Sequence, residues 1–85
     1  MPPNAYDFER EIRRIWAEAQ VKGLSCINIV SGDVHRVLGG YSGSNNRMPN
    51  CCRVMRQLMK PDDRIIHETP SGQSSTLTIQ YQLPR

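Results

Sequence analysis

The stretch from Gly39 to Lys60, "GGYSGSNNRMPNCCRVMRQLMK", decides how the chain is read. It opens on Gly, Ser and Asn residues and passes through Arg47, Met48 and Pro49. It then becomes a helix-patterned run bearing Arg53, Arg56 and Lys60, with the adjacent thiols Cys51 and Cys52 in its middle. Proline suits the first helical turn, where its missing N–H is not needed, so a helix is predicted from near Pro49 to Lys60, closed by Pro61 and Asp62. At about 100° per residue, Cys51, Cys52, Met55, Leu58 and Met59 fall on an inward arc. Asn50, Arg53, Arg56, Gln57 and Lys60 are left mostly outside.

Charge around this stretch is segregated. From Val34 to Pro61 the chain carries Arg36, Arg47, Arg53, Arg56 and Lys60 and no Asp or Glu, whereas the remainder carries six basic and eight acidic residues. Positive charge concentrated in one third of a chain whose net charge is only +3 is the footprint expected for a polyanionic partner.

Working outward, "YDFEREIRRIWAEAQVKG" places Phe8, Ile12, Ile15, Trp16 and Ala19 on one helical stripe, with Asn4 as cap, acidic residues in the first turn and Gly23 as stop. Trp16 is expected as a packing anchor. "LSCINIV" reads as a strand. "SGDVHRVLGG" reads as a two-turn helix capped by Ser31 and ended by Gly39 and Gly40. "RIIHET" and "TLTIQYQLP" read as strands joined by a "PSGQSS" hairpin tip. In the second of these, Leu77, Ile79, Tyr81 and Leu83 share one face.

The 85 residues, 38% hydrophobic and 22% charged, suit a single domain spanning 1–85 with its core at about 6–83. No apolar run reaches the ~20 residues of a membrane span, and "MPPNAYDFER" lacks the basic start and apolar core of a secretory signal. A cytoplasmic protein is therefore expected, without a membrane partner or a small-molecule substrate.

The order helix, strand, helix, helix, strand, hairpin loop, strand (α-β-α-α-β-β) resembles the winged helix-turn-helix domain, an α+β fold of three helices on a small antiparallel sheet. The resemblance runs from about Tyr6 to Leu83 and rests on element order, lengths and charge placement. It implies binding of double-stranded DNA, with the third helix in the major groove and the loop between the last two strands, the wing, on the flanking backbone. One departure is the turn between the second and third helices, ten residues from Gly39 to Met48 where three or four are usual.

On that basis Asn50, Arg53 and Gln57 are candidates to read base edges, since Arg pairs bidentately with guanine and Asn or Gln with adenine. Arg36, Arg47, Arg56 and Lys60 would neutralise phosphates. Ser44, Asn45 and Asn46 would offer backbone N–H groups and small polar side chains ahead of a helix N-terminus. Ser71, Gly72 and Gln73 would supply wing contacts. Neutralising four phosphates would give log K against log salt a slope of about −3.6. A homodimer or a larger protein assembly fits so small a domain.

Other chemistries are disfavoured. Cys26, Cys51, Cys52, His35 and His67 lack paired zinc-ligand spacing, and Cys51 and Cys52 are expected as reduced core fillers. No cofactor or metal is expected. A Cys51–His35 nucleophile pair would lack a substrate pocket in so small a domain. His35 is expected at the helix surface or in a structural hydrogen bond, and the chain is not expected to be an enzyme. The remaining alternative is a winged-helix module that docks protein through the "RIIHET" strand or the Tyr41 loop.

Overall fold

The computed structural model describes residues 3–39, 47–68 and 75–85. Its elements follow in the order α1 (Ala5–Val21), β1 (Cys26–Val30), α2 (Ser31–Leu38), α3 (Met48–Gln57), β2 (Arg64–His67) and β3 (Thr78–Gln82). The protein is thus α+β, three helices with a three-stranded antiparallel sheet of order β1-β3-β2.

Both ends of α1 are closed by local hydrogen bonds. The Asn4 side chain accepts from the Asp7 N–H and the Asp7 carboxylate accepts from the Asn4 N–H, each at 2.9 Å, a reciprocal capping box. At the other end Gly23 takes φ +80. Its N–H reaches the Gln20 carbonyl, and the Leu24 N–H reaches that of Ala19, both at 3.0 Å. This paired closure needs a left-handed residue, which glycine supplies without steric cost.

The start of α2 differs from the sequence expectation. Ser31 is the first helical residue rather than its cap, Val30 stands in the cap position, and no side chain caps the helix. The sheet takes over that role. The Ser31 N–H donates to the Leu77 carbonyl at 2.8 Å and the Gly32 N–H to that of Ser75 at 2.9 Å. Orphan donors of a helix N-terminus are therefore satisfied by the segment that leads into β3, which fixes α2 against the sheet.

Phe8, Ile12 and Trp16 of α1, Val34 of α2, Cys51, Cys52, Val54 and Met55 of α3, and Ile29, Leu77, Ile79 and Tyr81 of the sheet side form one core. The alternation expected in the last strand holds: Leu77, Ile79 and Tyr81 are buried and Leu83 packs against them half-buried. Trp16 meets Tyr81 edge-on at 5.1 Å between ring centroids, the geometry that aromatic quadrupoles favour. The Tyr81 hydroxyl donates to the Met55 carbonyl at 2.7 Å, so the phenol ties sheet to α3 without a buried polar loss. β2, like β1, is an outer strand flanking β3, with all four of its residues exposed and an irregularity between Ile65 and His67.

Candidate nucleic-acid interface

α3 starts and stops earlier than its sequence pattern suggests. It runs Met48–Gln57 with Leu58 as C-cap, so Lys60 lies beyond the helix and not on it. There its backbone N–H donates to the Asp63 carboxylate at 2.7 Å. The inward arc includes Val54, 3% exposed, which the spacing left unassigned. Leu58 and Met59 are only half-buried, because the helix has ended before them.

On the opposite side, Asn50, Arg53 and Gln57 occupy positions i, i+3 and i+7 of α3 and share one face. Arg53 and Gln57 are exposed and Asn50 is half-buried. The Arg53 guanidinium donates to the Asn50 side-chain oxygen at 3.2 Å. Among the described residues, neither Arg53 nor Lys60 has a carboxylate within ion-pair distance.

Two other cations are committed within the protein. Arg56, expected to point outward to phosphate, is half-buried and binds Glu68 at 2.6 Å. Arg36 is exposed and pairs with Asp33 at 2.8 Å. The segment 34–61 is acid-free in sequence, but Asp33 precedes it on the same helix and Glu68 folds back onto it across twelve residues. Of the five cations in that segment, Arg36 and Arg56 are therefore already paired with carboxylates. Ser44, Asn45, Asn46, Ser71, Gly72 and Gln73 lie outside the described residues.

Arg47 stands at the N-cap of α3, where no side chain caps the helix. Its backbone N–H donates instead to Nε2 of His35 at 2.7 Å. His35 is completely buried, not at the helix surface, and its ring lies 5.3 Å from that of Phe8. Of the two placements open from sequence, the structural hydrogen bond is the one found. Accepting at Nε2 requires the neutral tautomer protonated at Nδ1. The histidine thereby sets the point at which the chain re-enters α3 after the long turn.

The cysteines behave as core groups. Cys51 and Cys52 are fully buried thiols with no disulfide between them, and Cys26 is a half-buried thiol. Burial, reinforced by the neighbouring Cys52, pushes the Cys51 thiol up to about 12, and burial also raises that of Cys52. Thiols held protonated in this way are poor nucleophiles. Among the described residues no group of three or more His, Cys, Asp or Glu is arranged to hold a metal ion, and no helix is long and apolar enough to cross a membrane.

Beneath the end of α3 lies a feature that no sequence pattern announced. Asp63 and Arg85 form an ion pair at 2.8 Å with side-chain exposures of 0% and 4%. Asp63 also accepts from the Gln82 and Lys60 N–H groups. Arg85 donates to the Leu58 carbonyl at 2.7 Å, to the Gln82 carbonyl at 3.2 Å, and lies over the Trp16 ring at 4.3 Å. Burial alone would raise the Asp63 carboxyl, but the hydrogen bonds from Gln82, Lys60 and Arg85, with the charge of Arg85, outweigh it and hold the carboxyl below its usual range. The cluster fixes the end of α3 to β3, and so contributes to the orientation of the α3 face. Arg85 and Asp63 are separated by 22 residues, beyond the reach of any helical or strand periodicity.

Comparison with known proteins finds no match: no family model, no curated protein and no solved structure is significantly similar to this chain.

Proposed function

We propose that the chain is a winged-helix domain that binds double-stranded DNA through α3. The observation that carries this reading is the outward face of α3, where Arg53 and Gln57 are exposed beside a half-buried Asn50 and the arginine has no carboxylate partner among the described residues. These are the side chains suited to bidentate contact with base edges. Arg47, at the helix start, and Lys60, just past its end, flank them and would meet phosphate, supplying register and most of the affinity. Buried anchors at both ends of α3, His35 at its start and the Asp63–Arg85 pair beyond its end, support the helix as a rigid reading element. In this role the domain performs no chemistry and takes no cofactor; it acts as a regulator or DNA-binding component in the cytoplasm.

The test is a salt titration of binding to a labelled random-sequence duplex, beside an Arg47→Glu/Arg53→Glu variant whose fold is checked by circular dichroism. Salt-sensitive binding is expected, with a slope of about −2.7 if three phosphates are neutralised and about −3.6 if four are. The variant loses it. Absence of binding at low salt would reject the reading. A protein-docking role would then be favoured by β2, an outer strand with Ile65 and Ile66 38% and 52% exposed, open to pairing by a partner strand.

A further inference from the structure

α1 carries a surface that neither the core nor the α3 reading uses. Glu11, Arg14, Glu18 and Lys22 form a continuous ladder along one side of the helix. Arg14 binds Glu11 at 2.7 Å and Glu18 at 2.9 Å, and Lys22 binds Glu18 at 3.2 Å. Hydrogen bonds from Lys22 and Arg14 hold the Glu18 carboxyl below its usual range. Beside it lies a shallow groove of about 110 Å³ between α1 and β1, rimmed by Arg14, Glu18 and Lys22 and floored by Ile15, Leu24 and Ile27. Leu24 is 44% exposed and the neighbouring Val21 is 89% exposed. A second depression continues the same face toward the start of α1, between Arg10, Arg14 and Leu38. The charged edge of the groove is set by α1, which rises ~25 Å over its 17 residues.

The order of charges along the ladder is what names the occupant. Read from the start of α1 it is minus, plus, minus, plus; read from the other end it is the reverse. A second copy of α1 laid antiparallel on the first therefore sets Arg14 opposite Glu18, both exposed, and the same pair recurs on the other side of the axis. Glu11, its side chain 8% exposed, stays bound to Arg14 within its own copy. Positions 14 and 18 centre on residue 16, so the pair and its symmetry equivalent both come from one placement. A self-complementary patch is what a two-fold interface demands, because each residue meets on the partner the residue that its own equivalent meets. A ladder of a single sign would not have this property.

We infer that α1, with the groove beside β1, is the interface of a homodimer. Two copies associate antiparallel about a two-fold axis near residue 16. The Ile15, Leu24 and Ile27 surfaces are removed from water against each other, and the ladders interlock at the rim. Exposed ion pairs within one helix contribute little to stability. Placed across an interface they set orientation and exclude mismatched partners, so the apolar groove supplies the affinity and the ladder the register. The inference is independent of nucleic-acid binding.

The test uses charge reversal and needs only the protein. Wild type, Arg14→Glu and Glu18→Arg are followed by sedimentation equilibrium over a wide concentration range, with circular dichroism confirming that each is folded. Wild type is expected to show a monomer–dimer equilibrium. Each single variant places like charges opposite each other twice and dimerises at least about tenfold more weakly. An equimolar mixture of the two recovers dimerisation, because the carboxylate introduced at position 14 of one copy then faces the guanidinium introduced at position 18 of the other. Should either reversal unfold the chain, Leu24→Glu on the groove floor serves instead, with the same loss expected, together with intermolecular NOEs between the Ile15 and Leu24 methyls in a mixed-label wild-type sample. A wild type that stays monomeric throughout overturns the inference, whatever else occupies the face. So do single variants that dimerise as wild type does, or a mixture that gains nothing over its components.

Discussion

Arg53 and Arg85 carry the same guanidinium in the same small domain and have opposite fates. Arg85 is 4% exposed in its side chain, bound to Asp63, to two carbonyls and to the face of Trp16. Arg53 stands on the outer side of α3 with Asn50 as its hydrogen-bond partner. A buried arginine is tolerated only when its donors and charge are nearly all answered from within, whereas an exposed one leaves most of its five donors for something else. One arginine is therefore committed to holding the protein together and the other is available for recognition. Net charge does not separate the two; only their surroundings do.

The largest effect that separates them is on stability. Arg85→Ala leaves Asp63 charged, buried and short of its main partner, and is expected to cost about 3–5 kcal/mol in denaturant unfolding. Arg53→Ala, at an exposed helix position, is expected to stay within about 0.5 kcal/mol of wild type. Equal losses would erase the distinction between the two regions.

On DNA, if α3 binds it as proposed, the ranking is expected to invert. Arg53→Ala should cost about 1–3 kcal/mol on a selected site and relax preference at one base pair, measured by competition with single-base variants of that site. A loss spread evenly over unrelated sequences would make Arg53 a phosphate contact instead.

Acid should act on the Asp63 side of the comparison. Its carboxyl is held low in the folded protein, so the folded state binds fewer protons there than the unfolded chain. The stability this contributes is present above the ordinary carboxylate value of about 3.9 and is lost as pH falls through the depressed folded value. Thermal melts from pH 6 to pH 2 should therefore show a fall in Tm below about pH 4 that is shallower in Asp63→Asn.

The smallest effect concerns Arg56, which sits between the two extremes in its ion pair with Glu68. Glu68→Gln keeps the shape of the acceptor and removes its charge. It should make the salt slope of DNA binding steeper by at most about 0.9, one further phosphate, with little change in stability. An unchanged slope would confine Arg56 to the interior side of the comparison.

Sequence periodicity makes the helices and strands legible because each is governed by neighbours three, four or two residues away. The α1 stripe, its Asn4 cap and the inward side of β3 are of this kind. What is not legible depends on contacts between distant segments. Ser31 has the chemistry of a cap, yet the Leu77 and Ser75 carbonyls take that role from across the sheet. His35 sits on a short helix whose pattern does not separate surface from interior, and it is buried because Phe8 and the Arg47 amide close over it. Of the candidate site, Asn50, Arg53 and Gln57 can be placed on one face from spacing alone. Arg56 cannot be assigned in that way, because Glu68 lies twelve residues away on the far side of a turn. Arg85 offers no signal, since a lone arginine beyond a strand has no period to belong to.

The most direct measurement is an amide chemical-shift map of ¹⁵N-labelled protein titrated with duplex DNA. Binding through α3 predicts that the strongest perturbations fall on Arg47 to Gln57 and on Lys60, with α1 and β2 little changed. Perturbations centred on β2, or none at low salt, would contradict it.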